Sequence, residues 1–318
     1  MNRIESIIKP MKWGVALVLV TVAAGCGGGD PILGAKASSG PAGITAANIL
    51  GSAAPFGIAA TAGITSTTTT TTINGDVLLD PTLTCNTTAV PGGPGSTGFG
   101  AVGVACGATA PDSTPVLTGT VYITGDVITA GVIADLKAGF LKITPPAGPP
   151  AAGSLGGATN LPAGTTLGAV TGSAMVLNDN LFYPGVYQSI TSIIVSDDLT
   201  LDAQGDPNAV FVFQSSSSVG TAAGGPTPAT RTRILLVNGA KASNVWWQAG
   251  TSATLGLYSE FQGNILASES ITMGLGATSC GRLLAGAFAA GAFVFNGNVV
   301  SVPGKPFAPP ATYSTTCE

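Results

Sequence analysis

The sequence predicts a mostly β fold in which short strands stack as the coils of a β-solenoid. In the C-terminal third, residues 252–256 (SATLG) and 270–274 (SITMG) lie 18 positions apart, and the Leu-Ala pairs at 266–267 and 284–285 share that offset. A repeat of about 18–20 residues with small strands and turns is typical of one solenoid coil. A sandwich meander is the alternative, but successive hairpins do not require an equal offset, so we favour the solenoid.

Short β-type segments separated by Gly, Asn and Asp turns follow one another along the chain. We predict strands at 56–65, 72–79, 117–128, 173–177, 186–194, 199–202, 210–213 and 234–237. Only residues 130–143 have apolar side chains at helical spacing, namely Val132, Ile133, Leu136, Phe140 and Leu141. Thr129 is placed to cap the start of this helix, and the prolines at 145 and 146 end it. One helix in a long β chain argues against a repeating βαβ fold.

The composition excludes several classes of function. Only 8% of the residues are charged and none is histidine, which removes the Ser-His-Asp triad, the Cys-His dyad and histidine metal sites. The net charge is −4, and a sparse acidic surface is a poor match for nucleic acid, so we expect no nucleic-acid partner. We also expect no cofactor, no metal and no catalytic residues. Much of the exposed surface must consist of Thr, Ser, Gly, Ala and Asn.

The N-terminus has the organisation of an export signal. Three basic residues (Arg3, Lys9 and Lys12) precede an apolar stretch at 13–24 that is too short to span a bilayer but fits the core of a signal peptide. The sequence VAAGC at 22–26 resembles a bacterial lipobox, which implies cleavage before Cys26 and acylation of that cysteine. An ordinary secretory signal followed by a structural cysteine is the alternative. The predicted parts of the chain are a lipoprotein signal peptide at 1–25, a flexible tether at 26–48, the β-solenoid domain at 49–310 and a C-terminal tail at 311–318.

Four cysteines remain beyond Cys26, and an exported chain can form disulfides. They are Cys85, Cys106, Cys280 and Cys317. Three pairings are possible. The simplest joins Cys85 to Cys106, which closes a Gly/Pro-rich excursion, and Cys280 to Cys317, which ties down the C-terminal tail. The lack of a C-x-x-C pair and of histidine argues against metal binding.

Alternation along the repeated strands predicts one flat, uncharged side of the solenoid. The inward positions are apolar and comprise Ala253, Leu255, Ile271, Met273, Phe293 and Phe295. The outward positions form two columns, one of Ser252, Ser270 and Ala292 and one of Thr254, Thr272 and Val294, which Ser218 and Gly220 extend by one coil. Hydroxyls anchor water and methyl groups order it, so a rigid grid of both can hold an ordered hydration layer. The simpler interpretation is that Ser and Thr suit exposed β positions.

The densest carboxylates offer a competing chemistry. Asp197, Asp198, Asp202 and Asp206 are close in sequence, and together they could bind Ca²⁺ or act as the acids of a polysaccharide-cleaving β-helix enzyme. Aspartates that cap turns at coil corners are the alternative, which we favour.

Motifs in a defined order along the chain carry a resemblance to a known family. They are 73–77 (INGDV), 181–187 (LFYPGVY), 199–214 (LTLDAQGDPNAVFVFQ), 238–250 (NGAKASNVWWQAG), 261–267 (FQGNILA), 276–278 (GAT) and 281–285 (GRLLA). They resemble a signature of microbial ice-binding (antifreeze) proteins, and the similarity covers about residues 49–303. The resemblance implies a right-handed, three-faced β-helix with non-sequential coil order and one α-helix packed alongside, in the place that residues 130–143 occupy.

The resemblance also implies a function. Members of the family bind ice through one flat solenoid face, so the two columns are the candidate ice-binding residues. Thr61 and Thr65 are further candidates, since N-terminal coils can stack beside C-terminal ones. We expect an exported monomer, either extracellular or held at the outer membrane by a lipid on Cys26, that inhibits ice growth and recrystallisation. A cell-surface adhesin or structural solenoid module is the alternative, and a carbohydrate-active β-helix enzyme is a second.

Overall fold

A computed structural model describes residues 44–66, 71–80, 115–123, 125–144, 159–161, 163–168, 180–307 and 316–318. These residues form a solenoid of short strands, and neighbouring strands in its sheets pair in parallel. This arrangement confirms the β-solenoid. The signal peptide, Cys26, most of the tether, Cys85, Cys106 and the strand at 173–177 lie outside the described residues.

Among the described residues, two α-helices accompany the strands. They are α1 (Ala46–Leu50) and α2 (Thr129–Lys142). The last positions of the predicted tether thus lie in α1, where Ile49 and Leu50 are buried. The helix expected at 130–143 is present, but its start differs from the prediction. Ile128 is the N-cap residue, and Thr129 is a buried residue inside the helix, so the capping role assigned to Thr129 is wrong.

The first side of the solenoid is a nine-stranded sheet, here called the helix-side sheet. Its strands are β1 (Phe56–Ala60), β4 (Asp76–Leu79), β6 (Val121–Ile123), β7 (Thr159–Asn160), β10 (Gly185–Ser189), β13 (Phe211–Ser215), β16 (Val245–Ala249), β19 (Asn264–Ala267) and β22 (Leu283–Leu284). Helix α2 packs on its outer surface, where Val132, Leu136 and Phe140 join a buried cluster with Val212 and Trp246.

The second side is a seven-stranded sheet, here called the open sheet. Its strands are β2 (Gly63–Ser66), β8 (Thr165–Leu167), β11 (Ile193–Val195), β14 (Val219–Thr221), β17 (Ala253–Leu255), β20 (Ile271–Met273) and β23 (Ala292–Phe295).

The third side consists of two smaller sheets, which a single bridge between Arg233 and Glu260 connects. The strands of this side are β3 (Thr72–Asn74), β5 (Val116–Leu117), β9 (Leu181–Phe182), β12 (Leu199–Asp202), β15 (Ile234–Val237), β18 (Glu260–Gln262), β21 (Thr278–Cys280) and β24 (Val299–Ser301). A disulfide between Cys280 and Cys317 holds the C-terminus on this side, as the simplest pairing predicted.

Several segments predicted as single strands are two strands that meet at a solenoid corner. Residues 56–65 divide into β1 and β2, and residues 72–79 divide into β3 and β4 at Gly75, whose φ is 158°. Residues 117–128 likewise contain the end of β5, all of β6 and the cap of α2. The hydrophobic pattern continues across each corner because residues on both sides of the turn face one core, so the pattern alone hides the turns.

The coils do not stack in chain order. Strand β1 pairs with β22 through Ile58 and Leu283, β2 pairs with β23, and β3 pairs with β24. The N-terminal strands therefore extend the stack beyond the C-terminal ones, as the family resemblance implied.

Aromatic rings fill the interior. Phe213 and Trp247 stack with ring centroids 4.2 Å apart and planes within 12°, and Tyr187 stacks on the other face of Phe213 at 5.3 Å. The adjacent Trp246 points the opposite way, into the cluster beneath α2. Adjacent residues of a strand face opposite sides of the sheet, so Trp247 faces the interior and Trp246 lies under the helix. Buried stacked rings of this kind contribute beyond their hydrophobic area and hold neighbouring coils in register.

Two glycines of α2 provide a matched test of the helix packing. A Cβ atom at Gly139 would lie 2.6 Å from the carbonyl oxygen of Ile49, whereas one at Gly131 would lie 3.8 Å from the Ser52 hydroxyl. We expect Gly139→Ala to lower the free energy of unfolding by about 1–3 kcal/mol because of that clash. Gly131→Ala should raise it by about 0.5–1 kcal/mol because alanine favours the helix. Urea unfolding monitored by circular dichroism measures both, and an equal effect of the two changes would contradict the close approach of α1 to α2.

A second test concerns the carboxylate that joins α2 to the turn after α1. Asp135 accepts hydrogen bonds from the Ser52 backbone N–H at 2.8 Å and from the Ser52 hydroxyl at 2.6 Å. These bonds lower the pKa of Asp135 below its usual value, so its contribution to stability is complete well above the usual carboxyl pKa and is lost as the pH falls through the lowered pKa. Asp135→Asn should reduce the melting temperature at pH 7, and the difference from the unchanged protein should shrink below pH 4. A difference that is independent of pH would show that the charge of Asp135 is not involved.

Candidate functional site

The open sheet has a central row of outward-facing positions, one on each strand. Pairing registers place one residue of each of the seven strands side by side across the whole sheet. The row runs Thr65, Val294, Thr272, Thr254, Gly220, Ile194 and Thr166. Because parallel strands lie about 4.8 Å apart, seven strands extend about 29 Å.

A second row lies beside the first. Ser218, Ser252 and Ser270 directly precede β14, β17 and β20, and Ala292 begins β23. The backbone N–H of Ala253 donates to the carbonyl of Ser270 at 2.9 Å, which carries the strand register into this row. Alternate residues along a strand are about 6.6 Å apart, so the two rows form a rectangular grid.

Nine of the ten candidate residues lie in these two rows. Thr61 does not, because it occupies the corner between β1 and β2. Its hydroxyl accepts a hydrogen bond from the N–H of Gly291 at 3.0 Å and lies 3.3 Å from the carbonyl of Ala289. Thr61 thus holds the loop before β23 and lies at the corner, outside the two rows.

The sequence interpretation missed two residues of the central row. Ile194 is 41% exposed and Thr166 is half-buried, and both point outward at the far end of the sheet. Their strands follow the same alternation as the repeated ones, since Ile193, Val195 and Leu167 are buried. The alternation of buried and outward residues could have identified Ile194 and Thr166. The offsets between their coils differ from 18 residues, however, so the sequence repeat did not include these two positions.

The inward positions of the open sheet keep it rigid. The six inward residues predicted from alternation all have at most 1% of their surface exposed. They belong to the central hydrophobic cluster of the solenoid, together with the stacked rings. A close-packed interior resists deformation, so the outward grid is held in fixed positions.

The open sheet is electrically neutral. None of its seven strands contains a charged residue. Glu269, at the corner before β20, is close to the second row and accepts a hydrogen bond of 3.3 Å from the Ser252 hydroxyl. The outward side chains of the grid are short and largely aliphatic or hydroxylated, so the sheet offers weak, evenly spaced contacts to water.

The third side is chemically different. Arg231 and Glu260 form a buried ion pair at 3.3 Å, and Arg233 pairs with Asp198. Burial raises the pKa of Glu260 above its usual value. Fixed charges and the attached C-terminus distinguish this side from the open sheet.

The aspartates near residue 200 act in turns. Asp202 accepts hydrogen bonds from the N–H of Gln204 at 2.7 Å and from the amide of Asn238 at 2.9 Å. Asp206 accepts from the N–H of Asn208 at 2.8 Å. This matches the turn-capping role favoured from the sequence. Within the described ranges, no group of three His, Cys, Asp or Glu residues could hold a metal ion.

Comparison with known proteins assigns the chain to a family. A family model described as ice-binding-like matches residues 58–298. The chain belongs to the ice-binding-like family. An ice-binding protein from Nostoc sp. (strain HG1) is 48% identical over 103 residues, which are 32% of this chain and 35% of that protein. Ice-binding protein 1 of Shewanella frigidimarina is 33% identical over 102 residues, 32% of this chain and 11% of that protein. The aligned part therefore spans about a third or less of these relatives.

Solved structures of the family share the fold over most of this chain. The ice-binding protein from the Antarctic ascomycete Antarctomyces psychrotrophicus has a TM-score of 0.56 and 29% identity, over 79% of this chain and 96% of that one. The domain of Shewanella frigidimarina ice-binding protein 1 has a TM-score of 0.58 at 21% identity, over 79% and 95%. The agreement extends beyond the aligned third, to the solenoid as a whole.

Gly220 offers a test of the central row. It is buried between Thr254 and Ile194, and a Cβ atom there would lie 2.7 Å from the carbonyl oxygen of Thr254. Gly220→Ala should therefore lower the free energy of unfolding by about 1–3 kcal/mol. Thr272→Ala, two strands away in the same row, should change it by no more than about 0.5 kcal/mol. Chemical denaturation compares them, and a harmless alanine at 220 would mean that β14 and β17 are further apart than described.

Proposed function

We propose that this protein binds ice and that the open sheet is the surface that adsorbs to the crystal. Family membership supports the activity, since the relatives and structural neighbours named above are ice-binding proteins. The choice of surface rests on one observation. On the open sheet, the strand register aligns outward Thr, Ser, Ala, Val and Ile residues in an uncharged grid.

The other two sides are less suitable. Helix α2 covers much of the helix-side sheet. The third side carries two ion pairs, and charged groups hold their own hydration shells, which do not match a crystal lattice. The open sheet combines a rigid support with strands that contain no charged residue, and Glu269 lies at the corner beside its second row.

The physical basis of adsorption is collective. Threonine and serine hydroxyls hydrogen-bond water, while the adjacent methyl groups order the water around them. Each anchored water contributes little, on the order of 1 kcal/mol or less. A rigid grid about 29 Å long anchors many waters at once, and their summed contribution holds the protein on the ice. Such adsorption would inhibit ice growth and recrystallisation.

This function requires no chemical step. The family is named for binding, and the turn aspartates are engaged by backbone and amide donors rather than arranged as an acid and a base.

Ice-affinity partitioning tests the activity. The full chain should concentrate in a slowly grown ice hemisphere and should shape single ice crystals. Exclusion of the protein from the ice, with its circular dichroism spectrum intact, would overturn the proposal. Binding to glycans without ice shaping would instead favour the adhesin.

A matched pair of substitutions tests the surface. Thr254→Tyr combined with Thr272→Tyr places two bulky rings in the centre of the grid and should reduce thermal hysteresis by about tenfold or more, because the rings hold the sheet away from the ice. The control is Thr200→Tyr, since Thr200 points outward from β12 on the third side. It should leave the hysteresis unchanged. If the double variant and Thr200→Tyr lost the same amount of hysteresis, or if the double variant kept full activity, the open sheet would be excluded as the ice-binding surface. Neither result would contradict the ice-binding activity itself.

We also propose that the protein is an exported lipoprotein that is anchored through Cys26 and acts as a monomer. The residue after this cysteine is Gly27 rather than Asp, and under the sorting rules of lipoproteins this favours the outer membrane. The lipobox-like sequence VAAGC supports the anchor. Among the described residues, no helix has the length and apolar character needed to cross a membrane.

Metabolic labelling with a fatty-acid analogue should label the protein but not the Cys26→Ser variant. On cell fractionation, the unchanged protein should be found in the membrane fraction and the variant in the soluble fraction.

A further inference from the structure

A cavity of about 530 Å³ lies where the chain enters and leaves the solenoid. One coil of the stack lies between the coil that contains β21 and β22 and the coil that contains β3 and β4. In this coil, the strand on the third side is β24 and the strand in the helix-side sheet is β1. These two strands are far apart in sequence, so no turn connects them at this corner. The chain arrives through Ala54 and Pro55 and departs through Val302 and Pro303, and all four residues line the cavity.

The corners above and below are closed by short turns. Residues 281–282 connect β21 to β22, and Gly75 connects β3 to β4. Val302 fills part of the interrupted corner, because a Cβ atom on Gly75 would lie 2.8 Å from its side chain. The remaining space is the cavity, which is a consequence of the non-sequential coil order.

A buried guanidinium borders this cavity. Arg282 is 8% exposed; its Nε donates to the carbonyl of Ala54 at 2.5 Å and its Nη1 donates to Oδ1 of Asn264 at 2.9 Å. Both acceptors are neutral, and a guanidinium has five N–H donors. Within the described part of the chain, Nη2 has no protein acceptor and Arg282 has no ion-pair partner. Burial lowers the pKa of Arg282 to about 10.

The other charged groups at the cavity leave it net positive. Lys305, which is exposed, lines the cavity from the departing segment and forms no ion pair with a described residue. Asp76 is the carboxylate on the lining, and its Oδ1 accepts a hydrogen bond from the N–H of Thr120 at 2.9 Å. Buried charges are normally paired, because removing an ion from water costs several kcal/mol.

We propose that this cavity binds a small oxyanion of the phosphate or sulfate class, held by the free N–H groups of Arg282 and by Lys305. A guanidinium presents donors in a planar fork that matches two oxygens of such an anion. The site lies at the corner between the third side and the helix-side sheet, which is the corner opposite the open sheet. Binding is therefore independent of ice adsorption, and its role is to neutralise the net positive charge that Arg282, Lys305 and Asp76 together leave at the interrupted corner.

Isothermal titration of the full chain with inorganic phosphate, in sodium chloride at constant ionic strength, tests the site. We expect saturable binding that sulfate competes away. Lys305→Gln should weaken binding about two- to fivefold, as the loss of a partly screened charge does. Asp76→Asn should strengthen it by a similar factor, because the amide oxygen can still accept from Thr120 while the repulsion of the anion is gone. Arg282→Gln should abolish it.

Lys305→Gln and Asp76→Asn should change the phosphate affinity in opposite directions, and this makes the test decisive. A general salt effect on the protein would act equally on both, so equal shifts, or no saturable heat at tens of millimolar phosphate, would overturn the proposal. This holds even if Arg282→Gln fails to fold. A competition experiment with glycerol 3-phosphate distinguishes two sources of the anion. If this ester displaces phosphate, the site also accepts a phosphorylated headgroup. If it does not, the site is restricted to the free anion. Ice shaping by Lys305→Gln should equal that of the unchanged protein in either case.

Discussion

The parallel stacking of coils in constant register is the constraint on which the rest of the structure depends. Each strand of the open sheet pairs residue for residue with its neighbour, from Thr65 at one edge to Thr166 at the other. A displacement by one residue would turn every outward side chain inward, because alternate residues of a strand face opposite sides. The interior aromatic rings make such a displacement costly, since Phe213 and Trp247 stack only when β13 and β16 are aligned.

The same constraint gives the three sides different roles. On the helix-side sheet most outward residues are buried, and Val212, Trp246 and Leu266 belong to the apolar cluster on which α2 packs. The outward Gln214 amide donates to the carbonyl of Ile143 at the end of α2. On the third side, outward positions carry charges and the disulfide that holds the C-terminus. On the open sheet they are short and uncharged. One backbone architecture therefore supports a buried interface, a polar side and a side with short, uncharged residues, and the outward residues that repeat decide which of these each side becomes.

A stack with non-sequential coils must be interrupted where the chain enters and leaves. Here β1 and β24 share a layer without being joined, and the corner between them is left open. The buried guanidinium of Arg282 reaches across this interruption to the carbonyl of Ala54, so it ties the entering segment to a coil that is more than two hundred residues later in sequence.

The sequence by itself determined the features that depend on local periodicity. Alternation is a property of neighbouring residues, so the inward set around Ile271 and the outward columns through Thr254 and Thr272 could be derived without a structure, as could the opposite orientations of Trp246 and Trp247. The position of β1 beside β22, the place of Thr61 at a corner and the continuation of the row through Ile194 and Thr166 were decided by the tertiary structure alone. These three features depend on contacts between residues that are distant in the chain. The hydrophobic pattern is the same on both sides of a corner, so the pattern shows which residues are buried but not the order in which the coils stack.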